Sequence, residues 1–149
     1  MNNPELIVIH CSATKEGKDL NVDDIRKMHL NRGWRDVGYH YIITLDGKIQ
    51  SGRKPFEIGA HAKGHNKNSI GICYIGGLDK NGKAKDTRTP SQKAALNKIV
   101  SSLKTVFGIG KVLGHRDLSK DLDGDGVIEP HEFMKQCPCF DAIKEYKEC

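Results

Sequence analysis

The sequence predicts an α/β domain in which helices lie over a mixed central β-sheet. Three observations carry this. Short, β-branched apolar runs recur along the chain: ELIVIH near the start, SIGICYI in the middle and KVL further on. Two segments between them carry helix caps and helical spacing. An Asp-Gly turn sits between two further β runs, the signal of a hairpin.

Glu5 to His10 is the first strand, apolar and β-branched, ending at His10. Asn21 can cap a helix from Val22 to Arg32 that Gly33 closes; Ile25, Met28, His29 and Arg32 share one face of it. His29, on that half-apolar face, is expected to be a structural histidine. Gly38 to Gln50 is the hairpin around Asp46-Gly47. Tyr39 and His40 alternate to opposite sides of it. Ser51 to Asn68 has little periodicity and many polar residues, so it is expected as surface loop. Ser69 to Ile75 returns as a strand with Cys73 as a buried, inert thiol, and Gly76 to Arg88 is a polar loop. Thr89-Pro90-Ser91-Gln92 starts the second helix: Thr89 caps, Pro90 takes the tolerated first position and Gln92 completes a capping box. Leu96, Ile99, Val100, Leu103, Val106 and Phe107 keep helical spacing up to Gly108. Lys111 to Leu113 is a short strand leading to His115, followed by a loop and a short helix.

The chain has 149 residues, so the sequence is expected to form one domain, 1–149, without internal repeats. Hydrophobic residues make up 37% and charged residues 29%, which fits a globular protein. No apolar run nears the ~20 residues of a membrane span, so no membrane insertion is expected. The start, MNNPELIVIHCS, shows no signal peptide, which predicts synthesis in a cytosol. Five cysteines are an odd number, and without export they are expected as reduced thiols, buried or metal-bound. The net charge of +5 comes without a basic cluster or interleaved aromatics, so no nucleic-acid partner is expected. A monomer is the expected state.

His10 and His115 each close a predicted strand, at the end of a sheet where working residues are usually exposed. With one thiolate from Cys137 or Cys139 they would supply the three ligands of a catalytic zinc that keeps a fourth position open. Neither an HExxH nor a CxxC pair is present. Residue types alone favour the plainer reading, scattered histidines with buried thiols.

Three separated stretches resemble a known family. They are IVIHCSAT around His10, GWRDVGYHYIITLDGKIQSGR followed by GAHAKGHNKNSIGICYIGG, and GH…KQCPCFD. Together with the Thr-Pro-Ser-Gln helix they are similar, in order and over nearly the whole chain, to the zinc-dependent N-acetylmuramoyl-L-alanine amidases of the bacteriophage lysozyme type. These are relatives of the peptidoglycan-recognition proteins. The resemblance implies zinc held by His10, His115 and Cys137, the cysteine of Cys137-Pro138-Cys139-Phe140-Asp141. Cys139 then needs no thiol for the site, and alternation turns Cys11 to the far side of its strand. Tyr39 and Lys135 are implied as catalytic, and His61 as a hydrogen-bonding contact to substrate. The substrate would be peptidoglycan, cut at the amide between the lactyl group of N-acetylmuramic acid and L-alanine. Lys135 would stabilise charge on the carbonyl oxygen, and Tyr39 would help to move a proton to the leaving amine. The implied setting is a phage or prophage endolysin, released to the cell wall through a pore made by another protein. A delivered antibacterial effector would use the same chemistry. The alternative is a peptidoglycan-recognition module without catalysis.

The segment between His115 and Cys137 carries a further pattern. Residues 121–132 fit the twelve-position calcium loop of the EF-hand. Asp121, Asp123 and Asp125 take positions 1, 3 and 5, Gly126 the turn, Val127 the carbonyl position and Glu132 the bidentate one. A bound Ca2+ would be structural, fixing the segment that carries Lys135 and Cys137. A single loop, with little room for a helix before it, does not suit a calcium sensor.

Overall fold

In chain order the strands are β1 (Leu6–Cys11), β2 (Thr14–Lys15), β3 (Tyr41–Ile43), β4 (Ile49–Ser51), β5 (Ser69–Tyr74), β6 (Gly77–Leu78) and β7 (Lys111–Gly114). The helices are α1 (Val22–Asn31), α2 (Pro90–Phe107) and α3 (Ala142–Glu145). The structure is a computed structural model that describes residues 1–119 and 136–147. The five-stranded sheet has the order β4-β3-β5-β1-β7. It is mixed, as expected: β1 runs parallel to β5 and β7, β3 parallel to β5, and only the β3–β4 hairpin is antiparallel.

Strand alternation divides β1 between two faces. Ile7, Ile9 and Cys11 enter the main core with Leu96, Val100 and Leu103 of α2 and with Phe140, Ala142 and Tyr146 of the C-terminal segment. Leu6 and Val8 point the other way, packing with Leu113 and Leu118. A third cluster joins Ile25 of α1 to Val37, Ile42 and Ile75. The helix caps are the expected ones. Asn21 accepts the Asp24 N–H at 3.1 Å and Thr89 accepts the Gln92 N–H at 3.0 Å, each in a reciprocal capping box. The buried Gln92 amide also donates to the carbonyl of Ile75 at 2.9 Å, tying α2 to the end of β5.

Several expectations are corrected. The hairpin strands are shorter than 38–50, with Gly38, Tyr39 and His40 outside β3. Helix α1 ends at Asn31, with Arg32 as its C-cap rather than its last residue. Among the described residues, the parallel β2–β6 pair and the 3-10 turns over Asn66–Asn68 and His115–Leu118 lie where the sequence pattern predicts loop or no separate element. The stretch 51–68 is not surface loop throughout, because Arg53, Gly59, His61 and Ala62 are buried. Arg53 explains much of this, donating from its guanidinium to the carbonyls of Val37 at 2.8 Å and Ile58 at 2.7 Å. Those bonds satisfy carbonyls that no strand partner reaches.

Candidate metal centre

The register of the central strands brings the two histidines together. Ile9 of β1 pairs with Gly114 of β7, and both strands run the same way. The next residues, His10 near the end of β1 and His115 just after β7, therefore lie side by side at the carboxyl ends of neighbouring strands, where open α/β sheets present their ligands. Their ring centroids lie 4.6 Å apart. Cys137 arrives from the opposite end of the chain and is placed by backbone contacts. Its carbonyl accepts the Arg116 N–H at 2.8 Å, and the next carbonyl, of Pro138, accepts the buried Tyr74 hydroxyl at 2.6 Å. Gly114 permits the approach, since a side chain there would meet the Pro138 ring at 2.6 Å.

One donor atom each from His10, His115 and Cys137 lies within 4.8 Å of the others. Two imidazoles and a thiolate suit zinc in type and number, with room for a fourth ligand. The Cys11 N–H donates to the Cys137 sulfur at 3.1 Å, a bond that stabilises a thiolate. Sequence reasoning missed this role, because alternation speaks to the Cys11 side chain and not to its amide. The Cys11 thiol itself sits in the core, and the neighbouring Cys137 thiol together with burial pushes it up to about 12. Cys139 also turns from the site, its thiol donating to the Gly77 carbonyl at 3.3 Å.

The three residues line a cleft of about 500 Å³, shared with Tyr39, His61, His29, Arg32 and Trp34. The half-buried Tyr39 ring lies 5.0 Å from that of His10, and burial raises its phenol well above the usual range. It stays protonated and able to donate at neutral pH. The Gly38 N–H next to it donates to Nδ1 of His29 at 2.8 Å. His29 is thus the structural histidine expected, held neutral by burial down to about 4.

His61 lies in the same cluster, its Nδ1 2.9 Å from Nε2 of His10. Burial pushes it down to about 3, so the ring is neutral. Its ring lies against Gly71 and Gly59, where a Cβ would come within 2.5 Å and 2.7 Å of it. Asn66 fixes its backbone, accepting the N–H groups of His61 and Ala62, each at 2.9 Å. Lys135, Asp121, Asp123, Asp125, Val127 and Glu132 lie outside the described residues.

The chain is similar to known proteins in sequence and in fold. The sequence profile of the N-acetylmuramoyl-L-alanine amidases matches residues 1–139. The chain is 39% identical over 144 residues to the endolysin of Enterobacteria phage T3, covering 97% of this chain and 86% of the phage protein. Among solved structures, it is similar to the N-acetylmuramoyl-L-alanine amidase LysC from Clostridium intestinale URNW. That match has a TM-score of 0.74 and 26% identity, over 99% of this chain and 84% of the other. It is also 39% identical over 121 residues to the peptidoglycan-recognition protein SD of Drosophila simulans, covering 78% of this chain and 64% of that one.

Proposed function

The chain belongs to the N-acetylmuramoyl-L-alanine amidase family, and we propose that it hydrolyses the amide between N-acetylmuramic acid and L-alanine with zinc held by His10, His115 and Cys137. The observation that carries the metal reading is the convergence of those three donors within 4.8 Å, from strand ends and a distant segment, in one cleft. Zinc bound there would supply Lewis acidity toward the scissile carbonyl and bring a water close to ionisation near neutral pH.

The protein's own groups have the remaining roles. Cys11 holds the sulfur through its amide, and Tyr39 presents a protonated phenol 5.0 Å, ring to ring, from His10. That hydroxyl can donate to the developing oxyanion or pass a proton toward the departing amine. Lys135, two residues before Cys137, is assigned to charge stabilisation at the carbonyl oxygen on the strength of the family resemblance. Lys135→Ala should then retain zinc while losing turnover. Similarity to a phage endolysin supports cell-wall lysis as the biological setting.

Mass spectrometry of a peptidoglycan digest tests the reaction. Free stem peptides beginning at L-alanine, with the glycan uncut, are expected. Cleaved glycan would indicate a muramidase, and an unchanged polymer that retains the protein would indicate a recognition module. For residues 121–132 we propose a structural calcium ion, supported by carboxylates at the EF-hand positions. Calorimetric titration of chelator-treated protein that has kept its zinc should show calcium uptake. Heat signals no larger than dilution would refute the loop reading and leave the amidase reading standing.

A further inference from the structure

We propose that His61 is a positioning residue for the metal ligand His10, the middle link of a hydrogen-bond chain from the His10 ring to the backbone at His65. This rests on the zinc reading of the site. Four groups form the chain: Nε2 of His10, the two nitrogens of His61, the Ser69 hydroxyl and the His65 carbonyl.

Its direction is set from the far end. The His65 carbonyl can only accept, so the Ser69 hydroxyl donates its single proton there, at 2.7 Å. The same oxygen lies 3.1 Å from Nε2 of His61 and must accept, which puts the His61 proton on Nε2. Nδ1, the remaining ring nitrogen, faces Nε2 of His10 at 2.9 Å and accepts from it. His10 must donate across that contact. A neutral His10 protonated on Nε2 carries its lone pair on Nδ1, the form in which that nitrogen binds a metal.

The surroundings are shaped to hold this link. The His61 ring fills a slot between Gly71 of β5 and Gly59, neither of which could bear a side chain there. Ser69 is fully buried at the first position of β5, and Asn66 pins the turn that carries His61. Both ring nitrogens of His61 are engaged within the protein. On this proposal His61 acts through His10, whereas the resemblance implies a hydrogen bond to substrate.

The test measures zinc affinity by competition with a chromophoric chelator, and the visible absorption of the cobalt-substituted protein. Four proteins are compared: the parent, His61→Leu, His61→Gln and Ser69→Ala. His61→Leu, without donor or acceptor, should bind zinc about 10- to 100-fold more weakly and shift the cobalt spectrum. His61→Gln keeps an acceptor oxygen and a donor nitrogen, and should recover most of the affinity. Ser69→Ala should weaken binding to a smaller degree, and it decides the matter should His61→Leu fail to fold. Parental zinc affinity and an unchanged cobalt spectrum in a folded His61→Leu, or failing that in Ser69→Ala, would overturn the proposal alone. A parent that takes up no zinc would remove the metal reading with it.

Discussion

In the proposed zinc site Cys137 is the ligand whose removal has the clearest consequence, because the other two donors come from a pair of adjacent strand ends and it alone arrives from the far end of the chain. Cys137→Ala should reduce bound zinc from near one equivalent to near none, read by metal analysis after dialysis. Turnover should fall by more than about a hundredfold, as the loss of several kcal/mol of transition-state stabilisation requires. Tyr39→Phe separates metal from proton chemistry. It retains the ring beside His10, so zinc should remain while turnover falls by about a hundredfold. Zinc loss in that variant would show the phenol to be structural. At this scale the sequence was legible through motif and resemblance: His10, His115 and Cys137 were all named from it. The partners of the ligands were not legible. The Cys11 amide acts through its backbone, and His61 is held by contacts with Gly71 and Ser69 that no local spacing reports.

Elements set where the third ligand can go. Helix α3 has only four residues, Ala142–Glu145, too few to be stable alone. It is held by the burial of Phe140, Ala142 and Tyr146 and by Arg88, whose buried guanidinium pairs with Asp86 and Glu145 and lies 3.4 Å over the Phe140 ring. These contacts begin three residues after Cys137. Arg88→Ala should lower stability by about 2 kcal/mol, since both carboxylates keep some access to water. Urea unfolding would measure that, and zinc affinity should weaken with it. Unchanged affinity in a destabilised variant would show that the Arg116 and Tyr74 bonds position Cys137 alone. The capped helices and the three long strands could be read in the sequence because their signals are local. The β2–β6 pair, two residues per strand, and the packed stretch 51–68 could not be, because pairing and burial there depend on distant partners such as Arg53 with Val37 and Ile58.

For the whole molecule, buried neutral histidines make stability depend on pH. His29 is depressed to about 4 and His61 to about 3, both by burial, below the ~6.5 of an unfolded chain. Between those values the unfolded chain binds more protons, so stability is complete above about pH 6.5 and is lost as pH falls toward 4. Zinc-free protein should lose about 2 kcal/mol from His29 between pH 7 and pH 4.5, and His29→Gln should flatten that slope. Equal slopes in the two proteins would contradict the assignment. The account as a whole depends on two strand-end imidazoles and one distant sulfur meeting at a single ion. Anomalous diffraction at the zinc edge, from crystals grown with stoichiometric zinc, measures that most directly. The account predicts one peak about 2.0–2.3 Å from a nitrogen of His10, a nitrogen of His115 and the sulfur of Cys137. A peak elsewhere, or a Cys137 side chain turned from the two histidines in fully metallated protein, would contradict it.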